Sequence, residues 1–396
     1  MNFKIKKLLA LLLVLSMTLS IAACKSSSEE ESKGPDSSQK PTETTPTETT
    51  PTEATPTVAF DGKINKADIP QEKLDTTLYV AVSVRSLTNP YLVTISNGMD
   101  MFCDYLDSIG QKYEKQVLIC ETSTEKQLDD IKAFLAKAKG NAILYVDPLE
   151  SALAPAIADA CENAGGYLVT AWNKPDDIGP ADYSYWVSHH SPDNVISGYN
   201  TAKALFDFFG GKGNVLAVQG MLGNTAASDR YIGFEKALAE YPDVTLLDQQ
   251  TANWDTKEAL NVTETWLNKY PDVDGIWCAN DAMATGVIQA LDSKALKGKV
   301  GVTGVDGNTD IIEAILAGNA VATVSSNGFL QGGYSLAIGY AAWTGLMDVD
   351  SLPANRREFF TEGKLVYSDN VAEYKRDFVD GKPSYDFSDI WWCVVE

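Results

Sequence analysis

The residues Ile276-Trp277-Cys278-Ala279 form a short apolar run that stops at Asn280-Asp281, and a helical pattern begins straight after. The same shape recurs at Val300-Gly301-Val302-Thr303-Gly304-Val305, which stops at Asp306-Gly307-Asn308. Apolar runs this short, bounded by turn residues, fit strands buried on both faces. Such strands, each followed directly by a helix, point to βαβ units and a parallel sheet. In an open α/β sheet the crevice beyond the carboxyl ends of the strands is where ligands sit. That is where these polar tips stand.

The alternation runs along most of the chain. Strand-like segments lie at Leu78–Val82, Gln116–Cys120, Ala142–Val146, Tyr167–Ala171, Tyr185–Ser188, Val215–Gln219, Val244–Asp248, Gly275–Ala279, Val300–Val305 and Val321–Ser325. Helical patterns separate them; the one after Pro90 carries Leu92, Ile95, Met99 and Phe102 and stops at Gly110. The class is therefore α/β, and this many strands fit two sheets better than one. A chain of 396 residues is also long enough for two domains once its ends are trimmed.

The N-terminus reads as an address. Lys4, Lys6 and Lys7 precede an apolar core from Leu8 to Ile21, which ends in Ile21-Ala22-Ala23-Cys24. This resembles the bacterial lipobox, which implies that 1–23 is a signal peptide and that Cys24 is the lipid-modified first residue. An ordinary secretion signal and a membrane anchor are the alternatives, although the core is short for a span. Pro41-Thr42-Glu43-Thr44-Thr45 then repeats at Pro46 and, with Ala54, at Pro51. Residues 24–75 are expected to be a disordered Thr/Pro/Glu-rich linker, a stalk of ~3.1 Å per residue where extended.

The formal charge of −22 argues against nucleic-acid or anionic-membrane surfaces, both of which attract cations. His189 and His190 are the only histidines and are adjacent, so no spread-out histidine set exists for a metal. Cys103, Cys120, Cys161, Cys278 and Cys393 show no C-x-x-C spacing, and their odd number precludes complete internal pairing; their disulfide state stays open.

Six blocks at the strand tips carry a family resemblance. They are Ser86-Leu87-Thr88-Asn89-Pro90-Tyr91, Val187-Ser188-His189-His190-Ser191-Pro192-Asp193-Asn194, Gln219-Gly220-Met221-Leu222-Gly223-Asn224, Trp254-Asp255, Ala279-Asn280-Asp281-Ala282-Met283-Ala284 and Gly304-Val305-Asp306-Gly307. In this order they resemble the type I periplasmic sugar-binding proteins, the ribose/galactose group that serves ABC transporters. The resemblance implies two flavodoxin-like, Rossmann-like parallel-sheet lobes joined by a three-crossing hinge, closing on a ligand. By analogy the N-terminal lobe takes 76–186 plus 328–357, and the C-terminal lobe takes 187–327 plus 358–396. It implies a monomer without cofactor or metal. Its partners would be a carbohydrate and the permease subunits of an ABC importer, and it would be lipid-anchored on the outer face of the cell membrane. Trp391-Trp392-Cys393 has no family counterpart.

The resemblance also assigns ligand residues. Asn89 and Tyr91 match a hydroxyl-binding amide and a stacking ring, although Asn89 can equally cap the helix that Pro90 opens. Trp254 matches the second lobe's stacking aromatic. Asn280 and Asp306 match positions that bind hydroxyls, with helix capping as their plainer role; Asp281 could cap in place of Asn280. Ribose-type relatives carry Asp-Arg where this chain has Trp172-Asn173, so Trp172 could stack on a ring, or lie on the surface beside the hinge. Ser228 stands where relatives place a ligand arginine, Asn224 could compensate, and Arg230 matches an arginine given a structural role. Of Ser326 and Asn327 at the third crossing, Asn327 is favoured. Arg85, at the end of the first strand, could enter the cleft or pair with an acidic helix end.

An acid and an arginine lost and an indole gained suggest a cleft roomy enough for a neutral disaccharide or short oligosaccharide. The leading function is solute capture for an importer, with sugar sensing through a chemoreceptor or kinase as the alternative. An exported glycoside hydrolase needs two facing carboxyls, and Asp306 is the main acid in view. No G-x-S-x-G elbow is present. The lipobox and the Thr/Pro tract exclude a DNA-binding repressor, so no enzyme and no nucleic-acid partner is expected.

Overall fold

Residues 60–381 and 383–395 are described by the computed structural model. The expected signal peptide, Cys24 and the Pro/Thr repeats lie outside them. Among the described residues twelve strands form: β1 (Leu78–Val84), β2 (Tyr113–Ile119), β3 (Ala142–Val146), β4 (Tyr167–Ala171), β5 (Trp186–Pro192), β6 (Lys212–Gln219), β7 (Asp243–Thr251), β8 (Gly275–Cys278), β9 (Gly301–Asp306), β10 (Ala322–Ser325), β11 (Glu358–Thr361) and β12 (Lys364–Tyr367). They make two six-stranded sheets, ordered β11-β5-β4-β3-β1-β2 and β12-β10-β9-β8-β6-β7. All pairs are parallel except β10 with β12. The α/β class and the two parallel-sheet lobes are therefore as expected.

Helices cover both faces of each sheet, which is why β3 and β8 are buried at every position. Polar strand tips start several of these helices. The side chains of Asn89, Asp193, Asp255 and Asn280 each accept a backbone N–H from the first turn that follows. A residue at such a tip thus follows a strand and caps a helix.

The lobe borders differ from those expected. β5 stays in the first sheet as far as Pro192, and the chain changes lobe at Asp193, whose carboxylate caps the next helix. β11 also belongs to the first sheet, beside β5. The chain crosses again at 325–328 and 361–364. It then makes a fourth crossing, from Phe378, stacked on Tyr374 in the second lobe, to Tyr385 and Phe387 in the first.

The aromatic tail belongs to the first lobe, contrary to the assignment of 358–396. Phe387 enters the groove between helices Pro90–Ile109 and Gly328–Thr344, edge-on to Phe102 with centroids 5.8 Å apart. A Cβ on Gly333 would lie 2.3 Å from the Phe387 ring, so only glycine leaves room. Trp392 stacks on Tyr334. The tail also pairs with the start of the described chain: the Ile64 N–H donates to Ser388 O at 2.7 Å and the Ile390 N–H to Gly62 O at 2.9 Å. Order therefore extends back from Thr76 into the expected linker. Ile64, Ile69 and Leu74 are buried there, spaced too widely to register as a periodic pattern. The five described cysteines are free and buried.

Candidate functional site

The carboxyl ends of the two sheets face each other across a cavity lined by both lobes. The first lobe supplies Arg85 after β1, Asn89 and Tyr91 from the next helix start, Asp147 after β3, and Trp172 and Asn173 after β4. The second supplies Asn224 and Arg230 around helix Thr225–Glu240, Trp254 after β7, Asn280 after β8 and Asp306 at the end of β9.

Asn89 fills the capping role and stands in the cavity wall. Its Oδ1 accepts the Tyr91 N–H at 3.0 Å, and the residue lines the cavity. Tyr91 donates its hydroxyl to Gln331 Oε1 and sets its ring at 75° to Trp172, 5.7 Å away. Trp172 is only 5% exposed and packs in the first-lobe core, which rules out a surface role. The Arg230 guanidinium lies 4.9 Å from the ring centroid of Trp172 and 5.6 Å from that of Trp254. A cation between two indoles from opposite lobes is attracted by both ring faces.

Asn280 caps its helix, accepting the Met283 N–H at 3.0 Å, and its Nδ2 donates to Asp306 Oδ2 at 3.4 Å. Asp281 does not cap. Its fully buried carboxylate accepts the N–H groups of Gly307 and Asn308 and the Thr323 hydroxyl, each at 2.8 Å. This bracket holds the loop just after Asp306, whose φ of 142° is costly for a residue with a Cβ. Trp172 and Trp254 also have positive φ, 68° and 63°. Three cavity side chains are therefore aimed by backbone that only a supporting structure tolerates. Burial pushes the Asp306 carboxyl well up, against the pull of Arg230.

Asn224 is fully engaged by the protein: its Nδ2 donates to Leu149 O in the other lobe at 2.7 Å, and its Oδ1 accepts Trp254 Nε1–H at 2.7 Å. It positions Trp254, whose ring lies so close over Gly220 that a Cβ there would come within 2.1 Å. Asn173 donates to Asp147 Oδ1 at 3.0 Å and to Pro148 O at 3.1 Å, and accepts the Ala226 N–H of the second lobe at 3.3 Å. Arg85 enters the cleft and reaches across it, donating from Nη1 to Asn253 O at 2.6 Å.

Two expected residues lie elsewhere. Ser228 donates back to Thr225 O at 2.9 Å within its own helix and does not line the cavity. Asn327 caps helix Gly328–Thr344, accepting the Leu330 N–H and the Tyr385 hydroxyl. It faces a separate depression behind Asp306.

Two polar residues of the cavity have no ligand role in the sequence reading: Asp147, which it leaves out, and Arg230, which it gives a structural role. Asp147 follows an all-apolar strand just as Asn280 and Asp306 do, and that signal was present. Burial pushes its carboxyl up to about 7, against the pull of Arg85. Arg230 sits on the stripe Ala226, Ala227, Gly233, Phe234, Ala237 that its helix buries, and is itself 3% exposed. It donates to Asn194 Oδ1 at 3.0 Å and Ala279 O at 2.8 Å. A charge on a buried helical stripe needs such partners, and often marks a site.

The periplasmic binding protein domain family matches residues 80–346. Among curated proteins the chain is similar to a xylitol-binding protein of Mycolicibacterium smegmatis, 31% identical over 245 residues, which are 61% of this chain and 67% of that protein. It is 29% identical over 246 residues to the ribose import binding protein of Salmonella typhimurium, covering 62% and 78%. Among solved structures, a twin-arginine translocation pathway signal protein from Burkholderia phytofirmans superposes with a TM-score of 0.77 at 38% identity, over 81% of this chain and 98% of that one. An ABC transporter solute binding protein from Actinobacillus succinogenes, with bound D-allose, does so at 0.67 and 28%, over 75% and 100%.

Proposed function

We propose that this chain, which belongs to the periplasmic binding protein domain family, captures a small neutral sugar or polyol between its lobes and delivers it to an ABC importer. One observation carries this reading. Each wall of the cavity contributes one carboxyl, one guanidinium, one helix-capping amide and one indole. Hydroxyls both donate and accept, so a rim of acceptors and donors from both sides suits them, while the indoles suit apolar C–H faces. The set matches two carboxyls with two guanidiniums, a formal balance that suits a neutral ligand. The similar proteins named for xylitol and ribose binding support the class.

The expectation of a disaccharide or oligosaccharide rested on room around Trp172. Arg230 covers that indole and Asp147 stands beside it, so a single pentose, hexose or polyol of similar size fits the cavity better. Lipid anchoring through Cys24 remains part of the proposal, resting on the lipobox. Replacing Cys24 with Ser should move the protein from the membrane fraction to the soluble one.

Thermal shift across pentoses, hexoses, alditols and cyclitols tests the function; a ligand at 100 times its Kd should stabilise by about 2.7 kcal/mol. No shift with any of them would sink the reading. A second reading has a specific observation behind it: Asp147 gives the cavity a second carboxyl beside Asp306, as a glycoside hydrolase requires. Recovering the ligand chemically unchanged after prolonged incubation separates capture from hydrolysis.

A further inference from the structure

β1 and β3 run side by side, with Ser83 opposite Val146, and the ladder continues through the Asp147 N–H donating to Ser83 O at 3.0 Å. The sheet therefore delivers Arg85 and Asp147 to adjacent tips facing the same cavity. Each is clamped at one end only. Asp147 accepts the Asn173 amide on Oδ1, and Asn173 is itself fixed by Pro148 and Ala226. Among the described residues nothing donates to Asp147 Oδ2. Arg85 spends Nη1 on Asn253 O across the cleft, and among the described residues no other acceptor meets its remaining N–H groups. A fixed acceptor thus stands beside a fixed donor, both with capacity left.

That arrangement reads a vicinal diol. One hydroxyl donates to the free carboxylate oxygen, and its neighbour accepts from the guanidinium. A ligand lacking either hydroxyl, or holding one in the wrong orientation, leaves a buried charged group unmatched, which is where strong discrimination arises. Resting on the sugar or polyol reading above, we infer that Asp147 and Arg85 determine which ligand the first lobe accepts, by reading the relative orientation of two adjacent hydroxyls. Arg85 is aligned by a carbonyl of the opposite lobe, so the diol is read in the closed form. Mismatched ligands should therefore be rejected mainly through faster release.

Calorimetry with the full chain, the preferred sugar or polyol from the panel, and its epimers and deoxy analogues tests this. Asp147→Asn keeps the shape and an acceptor for Asn173. It should weaken the preferred ligand roughly 10- to 100-fold while barely changing the analogue altered at the hydroxyl that Asp147 reads. Arg85→Lys should do the same at the neighbouring hydroxyl, and the double variant should lose less than the sum if both read one diol. Asp306→Asn should weaken every ligand and leave this discrimination intact. The melting temperature of ligand-free Asp147→Asn should not fall, as it would if the carboxyl were only structural. Equal losses across all analogues, or none, would overturn the inference while leaving sugar capture standing. If the unaltered protein binds nothing in the panel, the underlying reading fails and this inference falls with it.

Discussion

The two walls of the cavity hold similar side chains by different means. In the second lobe, Asp306 and Asn280 rest on backbone: a helix cap, and the Asp281 bracket that fixes residues 307 and 308 from below. In the first lobe, Asp147, Trp172 and Arg85 are steadied mainly by other side chains and by groups of the opposite lobe. A wall built on backbone hydrogen bonds changes only at a high cost in stability. A wall built on side chains can be rewritten residue by residue. The resemblance to sugar-binding relatives follows this division only in part: Asn280 and Asp306 match and Trp172 and Asn173 depart, but Asn89 and Tyr91 of the first lobe also match and Ser228 of the second departs.

The comparison can be broken at its strongest point first. Asp281→Ala removes the acceptor of the buried Asn308 amide and Thr323 hydroxyl and leaves the part-buried Gly307 amide only the long contact to Thr323 Oγ1, and should cost roughly 4 kcal/mol in urea unfolding along with ligand binding. A loss under ~1 kcal/mol would mean that the second wall is no more rigidly built than the first. Trp172→Ala empties a core position that also faces a cavity, so about 3 kcal/mol is expected, at the lower end for an aromatic deletion. Its ligand affinity should fall at least tenfold, by calorimetry, through loss of the indole face. Asn224→Ala removes one cross-lobe hydrogen bond and frees Trp254; roughly tenfold weaker binding and about 1 kcal/mol of stability are expected.

A pH comparison sharpens the contrast further. Asp147 has an ordinary value of 3.8 and a folded value of about 7, raised chiefly by burial. Between these values the folded chain holds a proton that the unfolded chain has released. The associated stability is present in full below the ordinary value and is lost as pH rises through about 7. Asp281 is also raised to about 7 by burial, so its contribution has the same sign. Unfolding at pH 5 and pH 8 should therefore show a smaller loss of stability in Asp147→Asn than in the unaltered chain, by about 1–2 kcal/mol. Equal slopes would show that Asp147 is solvated. The smallest effect belongs to Ser228→Ala, which should stay within ~0.5 kcal/mol and leave affinity unchanged.

What could be read from the chain alone follows the range of the interactions. Asn280 and Asp306 are visible because an apolar strand, a polar tip and a helix start lie within a few consecutive residues. Asp147 carries the same signal, but Asp-Pro also reads as an ordinary turn, and local pattern does not separate the two. Arg230 reaches the cavity through the packing of its helix and the approach of Trp172 from the other lobe, neither of which periodicity encodes. Ser228 and Asn327 were placed by alignment with relatives, yet a hydroxyl bonded within its own helix and an amide engaged by Leu330 and Tyr385 are decided by local geometry. The tail was opaque for the same reason: its groove exists only where helices Pro90–Ile109 and Gly328–Thr344 meet.

That tail sets the mechanical frame of the molecule. Gly62 and Ile64 are hydrogen-bonded to Ile390 and Ser388, and Lys63 is paired with Asp389, all on the first lobe. Both ends of the described chain therefore lie on one lobe. Whatever precedes residue 60 joins the chain on the first lobe, so if the lobes close as the resemblance implies, the first is the stator and the second the moving jaw. Fluorophores placed at the two ends would keep a constant separation however far the jaw travels. A reporter of closure needs one label on the second lobe.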